Sequence, residues 1–170
     1  MSQAQPSLQP VEDLAGAAAV PQPPARNGSG EIAGITSPRR RGGAARFITD
    51  VVVELGFLPK ERVEKAVEEG RATGKSPEDV LVDSGALSVE QLARAIAERF
   101  GLDHVDLTVY KPDLTAVNLL TAQAARRYNA IPIGFHSTGV LLVAMADPSN
   151  VLALDDLKLM TGYEVRPVVA

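Results

Sequence analysis

The chain has 170 residues, 45% hydrophobic and 22% charged, with a formal net charge of -4 and no cysteine. That apolar content can fill one core or two small ones, while the lack of thiols excludes a disulfide framework and a thiolate metal site. Residues 46–170 carry thirteen Lys/Arg against eighteen Asp/Glu, so the region expected to fold is net negative by five, which disfavours nucleic acid as a partner.

Residues 1–44 are rich in Ala, Pro, Gln, Gly and Ser, with Pro21, Pro23 and Pro24 close together and no sustained apolar periodicity. Such a segment buries too little to offset its ordering entropy and is expected to be a disordered tail. It has no basic patch followed by an apolar stretch, and no run anywhere approaches the ~20 apolar residues that cross a bilayer, so the expected compartment is the cytoplasm. Arg39, Arg40 and Arg41 form a basic cluster. It reads as a solvated tail in preference to a contact for anionic lipid or an acidic partner.

Residues 45–101 read as a duplicated helical subdomain. Asp50, Val51, Val53, Gly56, Leu58, Glu61, Ala66 and Glu69 recur 29 positions later as Asp79, Val80, Val82, Gly85, Leu87, Glu90, Ala95 and Glu98. Two copies are fewer than the roughly three that a solenoid needs, so they predict one four-helix unit that caps a second structure. Phe47, Ile48, Val51, Val52 and Leu55 make one broad apolar helix face closed by Gly56. Pro59 opens the next helix, with Val63, Ala66 and Val67 turned inward. Ser76 and Pro77 read as N-cap and first residue of a third helix stopped by Gly85. Ser88 to Gln91 has the capping-box pattern of a fourth helix, with Leu92, Ala95, Ile96 and Phe100 expected inside.

From 102 to 170 the pattern turns mixed. His104 to Leu107 is short and β-like, Thr121 to Tyr128 a brief helix, and Asn129 to Phe135 and Val140 to Ala146 two strands joined through His136-Ser137-Thr138-Gly139. Asn150 or Ser149 caps a helix whose Val151, Leu154, Leu157 and Leu159 are placed on or near its inner side, Gly162 ends it, and Tyr163 to Val169 is a last strand. The fold class is therefore α+β: a helical repeat unit followed by a small mixed αβ sandwich with a β-hairpin, its helices across one face of the strands. His104 and His136 are the two imidazoles, and nothing near them repeats at ligand spacing, so no metal site is expected.

Val143-Ala144-Met145-Ala146-Asp147-Pro148, Leu154-Asp155-Asp156-Leu157, Thr161-Gly162-Tyr163-Glu164-Val165 and Ala125-Arg126-Arg127-Tyr128 resemble the N-terminal domain of type II secretion and type IV pilus assembly ATPases. The likeness extends back through Gly85 to Leu92 and covers roughly 46–170. It implies a cytoplasmic, non-catalytic adaptor ahead of a hexameric motor, linking it to protein components of an inner-membrane platform without entering the membrane. Any hexamer would form through the motor. Arg126, Arg127, Asp155 and Asp156 are the candidate partner contacts.

Gly74-Lys75-Ser76 imitates part of a phosphate-binding loop, but the required earlier glycine is Glu69 and Pro77 removes an N–H donor. The segment reads as a loop and N-cap, and no catalytic residue or nucleotide-hydrolysing site is assigned. Some members of the resembled family bind cyclic di-GMP through two motifs that begin Arg-Leu-Gly. Here those triplets fall on Phe47, Ile48, Thr49 and on Ser76, Pro77, Glu78, and the later glutamines become Gly70 and Arg99. Arginine's bidentate grip on phosphate and glycine's close backbone approach are both missing at the aligned positions, Arg46 one position earlier would serve only one copy, and Glu78 brings like charge. No cofactor is expected, and cyclic di-GMP is disfavoured. A helix-turn-helix nucleic-acid binder is disfavoured too, because Glu61, Glu64, Glu68 and Glu69, or Glu90 and Glu98, would face phosphates.

Overall fold

The computed structural model describes residues 32–39 and 47–170. Four helices form the repeat unit: α1 (Ile48–Glu54), α2 (Lys60–Thr73), α3 (Pro77–Asp83) and α4 (Val89–Phe100). Their boundaries follow local chemistry. Ser76 Oγ accepts the Asp79 N–H at 3.1 Å ahead of Pro77, and Ser88 and Gln91 exchange side-chain to backbone bonds of 3.1 and 3.0 Å in a full capping box. Gly56 and Gly85 take left-handed φ values of 75° and 68° at equivalent turns, which a Cβ would resist. Between the helices lie Val51, Ala66, Val80, Leu81, Leu87 and Ala95, all buried. Burying each of the larger ones contributes about 1.5–3 kcal/mol.

A five-stranded sheet follows in the order β1-β2-β5-β4-β3, built from β1 (Ile35–Thr36), β2 (His104–Val105), β3 (Ala130–Ser137), β4 (Val140–Met145) and β5 (Glu164–Val169). β5 is parallel to both β2 and β4, while the β1/β2 and β3/β4 pairs are antiparallel. Helices α5 (Leu114–Val117), α6 (Ala122–Tyr128) and α7 (Val151–Thr161) bury Ala116, Leu120, Ala124, Ala153 and Leu157 against Phe135, Leu141, Val143 and Val165. On the opposite face Tyr110, with Val105, covers Ile133, Leu142, Ala144 and Val168. Register shifts in β3 around Pro132/Gly134 let Ile133 join this second cluster while Phe135 stays in the first. α4 joins the two halves by packing Ala93 and Ala97 on Val169.

The α+β architecture, the repeat unit and the hairpin match the sequence expectations, with local corrections. Ile35–Thr36 is an edge strand inside the segment 1–44 expected to be disordered; residues 1–31 and 40–44 of that segment lie outside the described residues. The strand forms because Ile32 and Ile35 pack against the Tyr110 cluster and Gly34 O accepts the Asp106 N–H at 2.8 Å. Arg39, expected to be solvated, is exposed, and its backbone N–H donates to Glu98 Oε2 at 2.8 Å; Arg40 and Arg41 lie outside the described residues. His136 and Ser137 belong to β3, which shortens the hairpin turn to Thr138-Gly139. On α7, Val151 and Leu159 face solvent, because Ala153 and Leu157 take the inner side; Phe100 on α4 is likewise exposed, at 40%, and Phe47 too.

Gly70 lies inside α2, where a Cβ would come 2.7 Å from the Lys75 carbonyl oxygen. Alanine normally gains about 1 kcal/mol over glycine in a helix interior. Here Gly70→Ala is predicted to destabilise the chain by about 1–3 kcal/mol, because backbone must move to admit the methyl group. A urea midpoint equal to or above the wild-type value contradicts this account.

Burial holds the His104 imidazole below its ordinary range, and Arg94 adds to the effect. The unfolded chain takes up a proton below about pH 6.5 that the folded chain resists, so this stability is present above that value and lost as pH falls. The urea midpoint should drop between about pH 7.5 and about pH 5.5, and His104→Gln should show a smaller drop over that interval. An equal drop in both proteins removes His104 as the cause.

Candidate functional site

The four residues singled out from sequence come from two neighbouring helices on the outer side of the sheet's helical layer. Thr121 Oγ1 accepts the Ala124 N–H at 3.3 Å to start α6, and Asn129 in the left-handed region, φ 44°, ends it. Arg126 and Arg127 occupy its last turn, where cations suit the unpaired carbonyls of a helix end. α7 starts at Asn150, whose Oδ1 accepts the Ala153 N–H at 3.0 Å, and closes at Gly162 with φ 73°. Asp155 and Asp156 lie at its middle.

Tyr128 joins the two helices: its hydroxyl donates to Asp156 Oδ2 at 2.6 Å, and the Arg127 guanidinium lies 5.3 Å from its ring centroid. That bond to the carboxylate is the main reason the Tyr128 hydroxyl titrates above its ordinary value. Arg127, Tyr128 and Asp156 therefore form one row. Arg126 is instead part of the wall of a cavity of about 350 Å³ with Leu107, Ile131, Met145 and Ala170. Asp155 is exposed, while the neighbouring Lys158 forms a 2.8 Å ion pair with Glu164.

Two features of this surface escaped the sequence reading. The Tyr128–Asp156 bond spans 28 positions and has no local signature. The second is the outward apolar pair on α7, Leu152 at 78% exposure and Leu159 at 84%. Their spacing of seven, two helical turns, was the available signal, and it was hidden because apolar residues occur all round this helix.

The other segments singled out serve the fold. Gly74 takes φ 75° as the C-cap of α2, Lys75 Nζ lies 2.6 Å from Asp83 Oδ2, and Ser76 caps α3. At the repeat turns Phe47 is an exposed N-cap residue and Ile48 is buried, while in the second copy the Ser76 hydroxyl is taken by Asp79 N–H. The Arg99 guanidinium sits 5.4 Å from the Phe100 ring centroid. Among the described residues no group of three His, Asp or Glu side chains could hold a metal ion, and no helix is long and apolar enough to cross a membrane.

Residues 100–170 match the MshEN domain family. The type IV pilus assembly ATPase PilB of Thermus thermophilus is 40% identical over 117 residues, 68% of this chain and 13% of PilB. PilB of Myxococcus xanthus is 29% identical over 121 residues, 71% of this chain and 21% of PilB. The chain thus spans about a fifth or less of the length of these relatives. The solved structure of MshE with cyclic di-GMP is 32% identical, covers 74% of this chain and 90% of its own, and superposes with a TM-score of 0.60. The duplicated helices, the mixed sheet and these likenesses coincide, and the chain belongs to the family of N-terminal domains of type II secretion and type IV pilus assembly ATPases.

Proposed function

We propose that the chain is a non-catalytic adaptor and regulatory domain that docks a pilus or secretion ATPase to the inner-membrane platform of its machine, working in the cytoplasm and recruited to the membrane through protein contacts. The observation that carries this reading is the α6–α7 surface. It combines four large exposed apolar residues with charges of both signs on a domain whose other singled-out groups are committed to caps and ion pairs. Interaction surfaces combine apolar area with placed charges in this way. Arg126 and Arg127 are assigned as edge contacts and Asp155 as a charged contact between the two apolar ends of α7, while Asp156 holds Tyr128 in place and contributes its charge.

Arg126→Glu, Arg127→Glu and Asp155→Lys together should weaken capture of the cognate platform component by about tenfold or more, with the fold retained and the melting temperature lowered by only a few degrees through the lost cations at the α6 end, since all three residues are exposed. Unaltered capture removes these residues from the interface.

A second reading, cyclic di-GMP reception, is favoured by the ligand in the MshE structure. The residues at the matched positions do not fit it. Phe47, Ile48 and Thr49 offer neither the arginine nor the glycine, Ile48 is turned into the core, and Pro77 and Glu78 supply a missing donor and a like charge. At Gly70 a glutamine would run into the Lys75 carbonyl. Titrating cyclic di-GMP into the full chain in a calorimeter should give no saturable heat, and micromolar saturation would overturn this exclusion.

A further inference from the structure

Among the described residues, the outer half of α7 is an unpartnered helix face of defined chemistry. Val151, Leu152, Leu159 and Met160 are 64, 78, 84 and 50% exposed. Leu152 and Leu159 lie two turns apart, about 10.5 Å along the axis. Asp155 and Asp156 lie between them, so the face reads apolar, acidic, apolar. The inner half, Ala153 and Leu157, is buried on the sheet, so the helix cannot rotate to hide this stripe. Tyr128 fixes Asp156 from the side of α6.

From this pattern we infer that α7 receives an amphipathic helix whose Lys or Arg residues meet Asp155 and Asp156 and whose flanking apolar residues cover Leu152 and Leu159. The inference deepens the docking reading and rests on it. Charge decides between occupants. A second copy packed α7 against α7, parallel in register or antiparallel about a two-fold axis, centres Asp155 and Asp156 on their own equivalents, and like charges at a desolvated centre disfavour it. An anionic bilayer is repelled by the same carboxylates. A basic helix gains at the centre and buries the leucines at both ends, in the manner of a helix laid along an apolar groove. Arg126 and Arg127 stand at the α6 side, so the incoming helix is expected to carry an acidic residue toward that edge.

The test uses the full chain and two capped, alanine-based helical peptides. Both have leucines two turns apart, one with a lysine pair midway and the other with a glutamate pair, and binding is followed by fluorescence anisotropy. The lysine peptide should saturate, with the glutamate peptide about tenfold weaker or more. Asp155→Lys should invert that preference, and Leu159→Asp should abolish binding of the lysine peptide; both positions are exposed, so the fold is retained. No saturation, equal binding of the two peptides, or an unchanged preference in Asp155→Lys overturns the inference. So does self-association in sedimentation that Leu159→Asp removes, which would assign the face to a second copy. No platform component enters this assay, so failure here with intact platform capture sinks the α7 inference alone, whereas absent platform capture with the lysine peptide still bound sinks the docking reading and leaves α7 a helix-binding face without that role.

Discussion

β5 is the element on which this fold depends. It is the middle strand, pairing in parallel along all six residues with β4 on one side and through Val169 with His104 of β2 on the other. Its side chains also feed three separate clusters: Val165 under α7, Val168 under Tyr110, and Val169 under α4. Arg166 adds a polar tie, donating to Asp103 Oδ2 at 2.9 Å and to His136 Nε2 at 2.9 Å. The repeat unit and the sheet therefore share a strand end instead of being strung on a linker, with α4 packed on both the repeat core and the end of β5.

The division of labour follows. The repeat unit satisfies its polar groups locally, through caps at Ser76 and Ser88 and glycines at the two turns, and most of its apolar residues are turned inward, with Phe47, Val89 and Phe100 the large exposed ones. It braces the sheet and offers little unsatisfied chemistry. α7 is the opposite case: anchored through Ala153 and Leu157, it leaves comparable apolar bulk facing outward. An exposed apolar stripe lowers solubility and serves no purpose within the fold, which is why it reads as a recognition surface.

Most of this architecture was legible in the sequence where the cause is local. The Ser76-Pro77 start, the Ser88–Gln91 box and the helix-ending glycines at 56, 85 and 162 all state their geometry within a few residues. What was not legible depends on distant partners. β1 is two residues long and exists because Gly34 lets the chain approach Tyr110, whose backbone nitrogen would lie 2.7 Å from any Cβ added there. α5 is a single turn held by Asp113, which accepts the Thr115 N–H and donates its own N–H to the Ile133 carbonyl. The orientation of α7 could not be read because Val151, Leu154, Leu157 and Leu159 permit more than one apolar face, and the sheet selects the one with small Ala153 at its centre. In the candidate site the four charged residues were singled out by type, but the arrangement of Arg127 and Asp156 around Tyr128 was set by tertiary contact.

The central claim is that recognition belongs to the outer face of α7 while the repeat turns are structural. Hydrogen–deuterium exchange of the full chain, with and without the cognate platform component, tests it most directly. Protection concentrated at 151–161 and the end of α6 is the predicted result; protection at the Gly56 and Gly85 turns with α7 unchanged would contradict it.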